Sequence, residues 1–392
     1  MKIPLAWMQL THEKIRLLIA LAGISFADIL MFMQFGFQDA LFESAIIFHK
    51  QIKGDIFLLS PQSTALIAMD NFSKRRLHQT LGVEGVRAVY PIHIGFALWK
   101  NPENSATRSI MTVGINPMEN ILDLPGLQDN LSKIKLEDYV LFDRFSRPEF
   151  GPIPVLFESG NPVETEVAER RVKVGGLFEM GASFGADGNI VTSDLNYGRI
   201  FADSDLDLIE MGVIQVREDA DVNLVLAKIQ EEFYIRDENN KLIPQDVLVL
   251  SREEFIDFEK KYWQESTAIG FIFTLGAGMG FIVGMVIVYQ ILYTDVSDHL
   301  PEYATLKAMG YTDFYLLKVV FQEAIILALV GYIPGFALSN LLYFLTANAT
   351  ALPVFMDVAK ASTVLILTFV MCVGSGAIAV RKLSAADPAD IF

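Results

Sequence analysis

Four apolar stretches dominate this 392-residue chain, and each is long enough to cross a lipid bilayer. A spanning helix needs about 20 predominantly apolar residues, because only a helix satisfies its own backbone hydrogen bonds in hydrocarbon. The first stretch is too long for the apolar core of a signal peptide, so we interpret it as an uncleaved anchor. The sequence therefore predicts four transmembrane helices, over residues 15–37, 267–293, 319–345 and 361–380.

The long segment between the first two spans has the pattern of a mixed α/β domain. Short apolar runs bounded by turn residues predict strands, and helical spacing of apolar residues predicts a helix over 222–233 with Asp221 as its N-cap. The predicted strands cover 55–59, 88–98, 109–115, 172–178, 189–191, 211–216 and 247–250. The predicted fold class is therefore a membrane α-helical protein of four transmembrane helices, with a large mixed α/β extracytoplasmic domain inserted between helices 1 and 2.

The charge of the chain is concentrated in this insert. Residues 38–266 carry 23 Lys and Arg against 37 Asp and Glu, which accounts for most of the net charge of −16. No basic face is available to neutralise phosphates, so the composition argues against a nucleic-acid partner. The acidity instead favours solubility and repulsion from anionic lipid.

Basic residues near the short loops set the orientation, because long domains cross the membrane almost regardless of their charge. On one side lie Lys2, Lys14, Arg16, Lys307, Lys318, Arg381 and Lys382. On the other lie Lys50, Lys53, Lys260, Lys261 and Lys360, so the bias is modest. We expect an inner-membrane protein with both termini in the cytoplasm. The predicted order is cytoplasmic tail 1–14, helix 15–37, periplasmic domain 38–266, helix 267–293, cytoplasmic coupling segment 294–318, helix 319–345, periplasmic loop 346–360, helix 361–380 and cytoplasmic tail 381–392.

The sequence contains no group of residues with the spacing of a catalytic site. The five histidines do not share metal-ligand spacing, and the single cysteine, Cys372, allows no disulfide within the chain. Residues 181–185 fit the Gly-x-Ser-x-Gly pattern around Ser183, but a turn follows where that motif needs a helix, so a surface loop is expected. No Gly-Lys pair is present, so ATP must be bound by a partner subunit, and we expect no cofactor.

Small residues recur at helical spacing in the second and third spans. Glycines four residues apart on one face let helix backbones approach closely in lipid. The candidates for helix packing are Gly276, Gly280, Gly284, Gly331 and Gly335. Four helices alone enclose little, so a homodimer is expected, and these faces either form the dimer contact or pack within the chain.

Asp28 is a candidate intramembrane polar residue, since it lies near the middle of the first span. An ionised carboxylate there costs at least ~2.5 kcal/mol on insertion scales, so something must compensate it. One interpretation is a residue linked to proton transfer or movement. The other, which we favour because no basic residue is evident nearby, is a hydrogen-bonded packing residue.

A short amphipathic helix is predicted between the second and third spans, with Pro301 near its start and Gly310 at its end. It is too short to cross the membrane. It is either a simple connector or a lever that docks on a cytoplasmic partner. The candidate ATPase-coupling residues are Glu302, Tyr303, Leu306, Lys307, Met309 and Gly310.

The order of these parts resembles the FtsX/MacB-like permeases of ABC systems. Their connector typically carries an acidic residue and a basic-Ala-hydrophobic-Gly ending, which Glu302 and residues 307–310 match, whereas Pro301 stands where many members have arginine. Within that superfamily the chain looks most like the DevC-type permeases of cyanobacterial glycolipid exporters. The stretches that carry this likeness are 21–26, 30–34, 59–63, 289–296 and 387–389.

The resemblance implies a permease homodimer that exports a lipid-like or hydrophobic substrate. Its implied partners are a cytoplasmic ABC ATPase, a periplasmic adaptor protein and a TolC-like outer-membrane channel, with ATPase closure transmitted mechanically to the external domain. The alternative is an FtsX-like signaller that regulates a cell-wall hydrolase and transports nothing. The large external domain favours export.

Overall fold

The computed structural model describes residues 5–12, 14–202, 204–237, 242–302, 305, 309–310, 312–350 and 352–385. The chain divides into two compact units. One unit comprises Met1–Leu41 and Thr267–Phe392, and the other is Phe42–Ser266.

The helices and strands follow the chain in this order. The helices are α1 Leu5–His12, α2 Lys14–Ala45, α3 Ile47–Gln51, α4 Lys74–Gln79, α5 Leu127–Asn130, α6 Ile153–Glu158, α7 Asp194–Ile200, α8 Val222–Phe233, α9 Arg252–Lys261, α10 Ala268–Asp298, α11 Asp313–Thr350 and α12 Val358–Ala385. The strands are β1 Ile56–Leu59, β2 Phe72–Ser73, β3 Val86–Lys100, β4 Thr107–Ile115, β5 Tyr139–Asp143, β6 Glu164–Val167, β7 Arg170–Phe178, β8 Asn189–Ser193, β9 Leu208–Ile209, β10 Met211–Val216, β11 Tyr234–Arg236, β12 Leu242–Pro244 and β13 Leu248–Ser251.

Within the described residues, four helices are long and apolar enough to cross a membrane, namely α2, α10, α11 and α12. The α/β domain lies between α2 and α10, so the predicted fold class is confirmed. The helices run past the predicted spans, and α2 continues as far as Ala45. The last turns of α2 contain polar residues that have partners within the chain. Asp39, for example, forms an ion pair with Lys360.

The core of the spanning unit combines small, branched, methionine and aromatic side chains. Ile24 and Ala27 of α2 are buried together with Leu327 and Ala328 of α11, and Met371 of α12 lies in the same cluster. A second cluster combines Met31 and Phe32 with Tyr343, Val354 and Val364.

A nine-stranded sheet organises the α/β unit, in the order β13-β1-β10-β3-β4-β8-β5-β7-β6. Strand β1 is buried on both faces, because alternate side chains enter different cores. Phe57 packs in a cluster with Phe255 of α9, whereas Ile56 and Leu58 join a cluster with Ile229 of α8. The sheet is therefore covered on both sides at this end.

The other end of the sheet closes on itself. Strand β6 pairs with β7 and also returns to β3, where Trp99 is opposite Val167. The enclosed core contains the buried rings of Trp99, Phe142 and Phe150. The indole N–H of Trp99 is not left unpaired, since it donates to the Phe150 carbonyl at 3.1 Å.

The predicted helix over 222–233 has the expected bounds, and the side chain of Asp221 accepts a hydrogen bond from the Asn223 N–H. Its buried residues, however, are Val225, Ile229 and Phe233, while Leu224 is 64% exposed. Leu224 lies one position before Val225 and is therefore rotated by about 100° around the helix from it.

Candidate functional site

The connector between α10 and α11 was the predicted coupling element. Of its candidate residues, Tyr303, Leu306 and Lys307 lie outside the described residues. Residues 300–302 are helical, and Glu302 is exposed. The Thr305 hydroxyl donates to the Pro301 carbonyl at 2.9 Å, and the Met309 N–H donates to the Thr305 carbonyl at 3.0 Å. These contacts have the four-residue spacing of a helical turn.

The end of this segment is set by Gly310, whose φ of +94° is one that other residues rarely adopt. A glycine in this conformation is a common helix terminator. Just before it, the Met309 side chain is 64% exposed. The described part of the connector thus presents an acidic and an apolar side chain to its surroundings, in Glu302 and Met309.

The base of the connector is anchored in the spanning unit. Leu300 packs against a buried cluster formed by Val296 of α10, Val320 of α11 and Val380 of α12, with Leu317 beside it. A displacement of Leu300 would therefore act on three spanning helices at once, because close-packed side chains transmit strain.

Close to this cluster, two acidic side chains meet inside the spanning unit. Asp295 of α10 and Glu323 of α11 are both buried, and their carboxyl groups interact electrostatically. The imidazole Nδ1 of His299 lies 3.6 Å from Asp295 Oδ1. Neither acid was among the predicted site residues, although an acidic residue within or beside an apolar stretch is a usable signal.

Asp28 is fully buried in α2. The Thr368 hydroxyl of α12 donates to Asp28 Oδ1 at 2.6 Å, whereas Oδ2 has no hydrogen-bond partner among the described residues. One turn earlier, the Ser25 hydroxyl donates to the Gly331 carbonyl at 3.0 Å. These bonds tie α2 to α11 and α12 in the interior of the spanning unit.

The predicted helix-packing glycines all face neighbouring helices of the same chain. A Cβ added at Gly276 would lie 2.5 Å from Gln34, and one at Gly280 would lie 3.2 Å from Leu30, both on α2. On α11, a Cβ at Gly331 would lie 2.7 Å from Ile24 and one at Gly335 would lie 2.9 Å from the Cβ of Asp28. At Gly284 the added atom would meet Ala27 of α2 and Met371 of α12.

These glycines therefore let α2 approach α10 on one side and α11 on the other. In the described residues, these glycine faces lie against α2, and the face of Gly284 also lies against Met371 of α12. Helix α10 contains another glycine, Gly278, on a different face. A Cβ added at Gly278 would meet nothing within 4 Å.

At the other end of the spanning unit, Lys360 of α12 is buried and surrounded by partners. Its ammonium forms ion pairs with Asp39 at 3.2 Å and Asp357 at 3.0 Å, and donates to the Phe355 carbonyl at 2.9 Å. It also lies 4.4 Å from the centroid of the Phe355 ring. The neighbouring Lys360 N–H and ammonium hold the pKa of Asp357 below its usual value. This network fixes the end of α2 to the start of α12.

In the α/β unit, residues 181–185 form a loop that leads into β8, with no helix after Ser183. The Ser183 hydroxyl accepts from the Ala186 N–H at 3.0 Å, which is a local turn contact. Buried Asp143 holds the start of this loop by accepting from the N–H groups of Met180 and Gly181. Burial raises the pKa of Asp143, although these donors oppose that effect. The described residues contain no cluster of potential metal ligands.

A second buried carboxylate, Glu259 of α9, joins the segments where the chain enters and leaves the α/β unit. It accepts from the indole N–H of Trp263 and from the Leu66 N–H, both at 2.8 Å. His49 of α3 lies 3.4 Å from the same carboxylate and 4.5 Å from the ring centroid of Phe255. No spacing signal in the sequence indicated this network, because its members are distant along the chain.

The architecture defines a polytopic membrane protein with a large α/β domain between its first and second spanning helices. Residues 267–388, which contain the last three of these helices, match the family described as FtsX-like permease C-terminal. The similarity to FtsX-like permeases therefore covers the last three spanning helices and the segments that join them.

Solved structures resemble the α/β unit at low identity. One is the periplasmic region of MacB from Actinobacillus actinomycetemcomitans, with a TM-score of 0.35 and 11% identity over 55% of this chain and 95% of that one. Another is the extracellular domain of the noncanonic ABC-type transporter YknZ from Gram-positive bacteria, with a TM-score of 0.34 and 14% identity over 51% and 100% of the two chains. No curated protein sequence matches the chain.

Proposed function

We propose that this protein is the permease subunit of an ABC-type exporter whose ATPase is a separate cytoplasmic subunit. The main support for this proposal is the FtsX-like permease domain together with its connector, in which Leu300 packs against residues of three spanning helices. Glu302 and Met309 are exposed on that connector and available to a partner. The missing Gly-Lys pair supports a separate nucleotide-binding subunit.

The finer proposal is a DevC-type permease for a lipid-like or hydrophobic substrate, such as a glycolipid. It works as a homodimer with a periplasmic adaptor and a TolC-like outer-membrane channel. In the proposed mechanism, closure of the ATPase pushes the connector, the spanning helices shift, and the external domain drives cargo outward. The substrate need not pass between the helices.

The residues proposed to couple the ATPase to the permease are Glu302, Tyr303, Leu306, Lys307, Met309 and Gly310. An apolar side chain seated in a partner's groove typically supplies a large share of the binding energy, and truncation of such residues costs more than ~2 kcal/mol. We expect Leu306→Ala with Met309→Ala to weaken ATPase association by about thirtyfold. Glu302→Lys should act in the same direction if the docking surface is basic.

The test is co-purification of the cognate ATPase with the full-length chain, together with ATP hydrolysis and cargo release in cells. Met279→Ala is the matched control, because Met279 is 58% exposed on α10 away from the connector. If the double variant still binds the ATPase and exports cargo as well as the unsubstituted chain, the hypothesis that the connector acts as a lever is refuted. Normal ATPase binding without export of any cargo, but with an activated cell-wall hydrolase, would favour the signalling alternative.

The proposed topology has both termini in the cytoplasm and the domain around Ser183 in the periplasm of the inner membrane. Cys372 is buried, so a cysteine introduced in the loop can be labelled selectively. We expect Ser183→Cys to react with a membrane-impermeant maleimide in intact spheroplasts. Reaction only after the membrane is opened would reverse the orientation.

A further inference from the structure

Three loops of the α/β unit bring exposed apolar side chains together on one surface. Phe184 is exposed, and its ring lies edge-on to the buried indole of Trp263 with 4.7 Å between the ring centroids. A Cβ added at Gly185 would lie 2.8 Å from Ile67 and 3.9 Å from Trp263, so exposed Ile67 borders the same surface. Phe145 is 57% exposed and lies beside the start of the 181–185 loop. We call these four side chains the apolar patch, which consists of Ile67, Phe145, Phe184 and Trp263.

The loops that carry the apolar patch are held in place by two buried carboxylates. Asp143 accepts a hydrogen bond from the Gly181 N–H at 2.9 Å, at the start of the loop that contains Phe184. Glu259 accepts from the Leu66 N–H and from the indole N–H of Trp263, both at 2.8 Å. The exposed side chains would have to break such hydrogen bonds in order to fold inward. Their exposure is therefore part of the fold.

The apolar patch adjoins both points at which the α/β unit continues into a spanning helix. The Phe184 N–H donates to the hydroxyl of Ser44, in the last turn of α2, at 3.2 Å. Trp263 lies in a helical turn over Tyr262–Ser266 and is five residues before Ala268, where α10 begins. Lipid headgroups add about 5–7 Å to each side of the hydrocarbon core, and aromatic side chains such as tryptophan are enriched in that layer. The patch is thus attached to the chain at the level of the headgroups.

Charge does not attract this unit to a membrane. Residues 38–266 carry 23 Lys and Arg against 37 Asp and Glu, so anionic lipid repels the unit as a whole. The arginines on either side of Phe145 are already ion-paired, Arg144 with Glu158 and Arg147 with Asp187, both at 2.7 Å. Any contact of the patch with lipid therefore depends on the burial of apolar surface, for which an uncharged lipid is sufficient.

We propose that the apolar patch is a lipid-contacting surface, which inserts Ile67, Phe145 and Phe184 into the headgroup layer of the bilayer. Exposed apolar patches mark interaction sites, and a patch joined this closely to two spanning helices meets lipid before any other partner. The proposal requires only that α2 and α10 cross the bilayer, whichever side the α/β unit faces. The lipid contact then restrains the unit at a third point, besides its two covalent connections to the membrane.

The test measures the surroundings of a nitroxide spin label on single cysteines of the full-length chain, reconstituted in palmitoyl-oleoyl phosphatidylcholine vesicles. The labelled variants are Phe184→Cys and Ile67→Cys, and the unsubstituted chain shows any labelling of buried Cys372. Leu224→Cys is the control, because Leu224 is an exposed apolar residue of α8, which covers the opposite face of the sheet from α9.

Each label is exposed to oxygen, which concentrates in lipid, and to a water-soluble nickel chelate present on both sides of the membrane. We expect the ratio of oxygen to nickel collision rates to be higher at both patch positions than at the control. Adding Phe184→Asp to the Ile67→Cys chain should lower this ratio, because a carboxylate is disfavoured beside lipid, whereas Leu224→Asp should leave it unchanged.

Far-UV circular dichroism checks that each variant is folded, and Ile67→Cys decides the matter if Phe184→Cys is unstable. Equal ratios at the patch and at the control overturn the proposal. A patch that contacts lipid only after phosphatidylglycerol is added would be held by charge, which contradicts the apolar basis argued above. Dipolar broadening between labels on two chains would show that a second copy covers the patch, and that result also overturns the proposal.

Discussion

The close approach of α11 to α2 at Gly335 can be tested by adding a single methyl group. A Cβ at this position would lie 2.9 Å from the Cβ of Asp28 and 3.2 Å from the Cα of Ser25. Both atoms are fixed to the backbone of α2, so a rotamer change cannot relieve the contact. Ordinary carbon contacts are about 3.5–4.0 Å, so the helices would have to separate by several tenths of an ångström.

Two opposing effects set the magnitude for Gly335→Ala. Alanine is favoured over glycine inside a helix by up to about 1 kcal/mol, whereas overpacking a close-packed interior typically costs about 1–3 kcal/mol. We expect a net loss of about 1–2 kcal/mol. At Gly278 the added Cβ meets nothing within 4 Å, so Gly278→Ala should gain about 0.5–1 kcal/mol.

The assay is unfolding of the purified chain by sodium dodecyl sulfate in mixed micelles, followed by far-UV circular dichroism. The same substitution should shift the midpoint in opposite directions at the two positions. A stabilising effect at Gly335 equal to that at Gly278 would refute the close approach of α11 to α2, because only the helix preference of alanine would then remain.

Three other contacts give further predictions. Asp28→Asn should keep the hydrogen bond from Thr368, so we expect it to change the free energy of unfolding by less than about 1 kcal/mol. Stimulation of the ATPase should remain intact. Complete loss of transport in an assembled complex would show that the charge itself is needed. Lys360→Met should lower the free energy of unfolding by about 2 kcal/mol in the detergent assay, because it removes both ion pairs of Lys360. The loss is limited to this size because the two carboxylate partners are partly exposed and can be hydrated. The control Lys318→Met changes an exposed lysine and should have little effect. Asp143→Ala should cost about 3 kcal/mol because it leaves two partly buried backbone N–H groups, those of Met180 and Gly181, without their acceptor. Limited proteolysis should then cut the 181–185 loop faster, and unchanged cleavage would contradict this role.

Features with a strong local signal were predictable from the sequence. Long apolar stretches have few structural solutions, so the four spanning helices could be identified, and the predicted strand over 211–216 and helix over 222–233 have the observed bounds. The left-handed conformation of Gly310 likewise agrees with its predicted place at the end of the connector helix.

Contacts between distant segments were not predictable in this way. The glycine pattern indicated close packing, but not that α2 occupies the faces of both Gly280 and Gly331. The pair of Asp295 and Glu323 depends on the alignment of two helices, which composition does not encode. Strand β5 was also missed, since a strand with four consecutive buried residues lacks the alternation of a half-buried one.

The pairing of β1 with β13 has a consequence for how this protein can be rearranged. Ile56, at the start of β1, is directly opposite Ser251, at the end of β13, so the chain enters and leaves the sheet on adjacent strands about 5 Å apart. Chain ends this close can be bridged by a few residues. The segment between them can therefore be treated as one replaceable insertion. A short loop, or an unrelated domain whose ends are equally close, could take its place without changing the distance between the two attachment points.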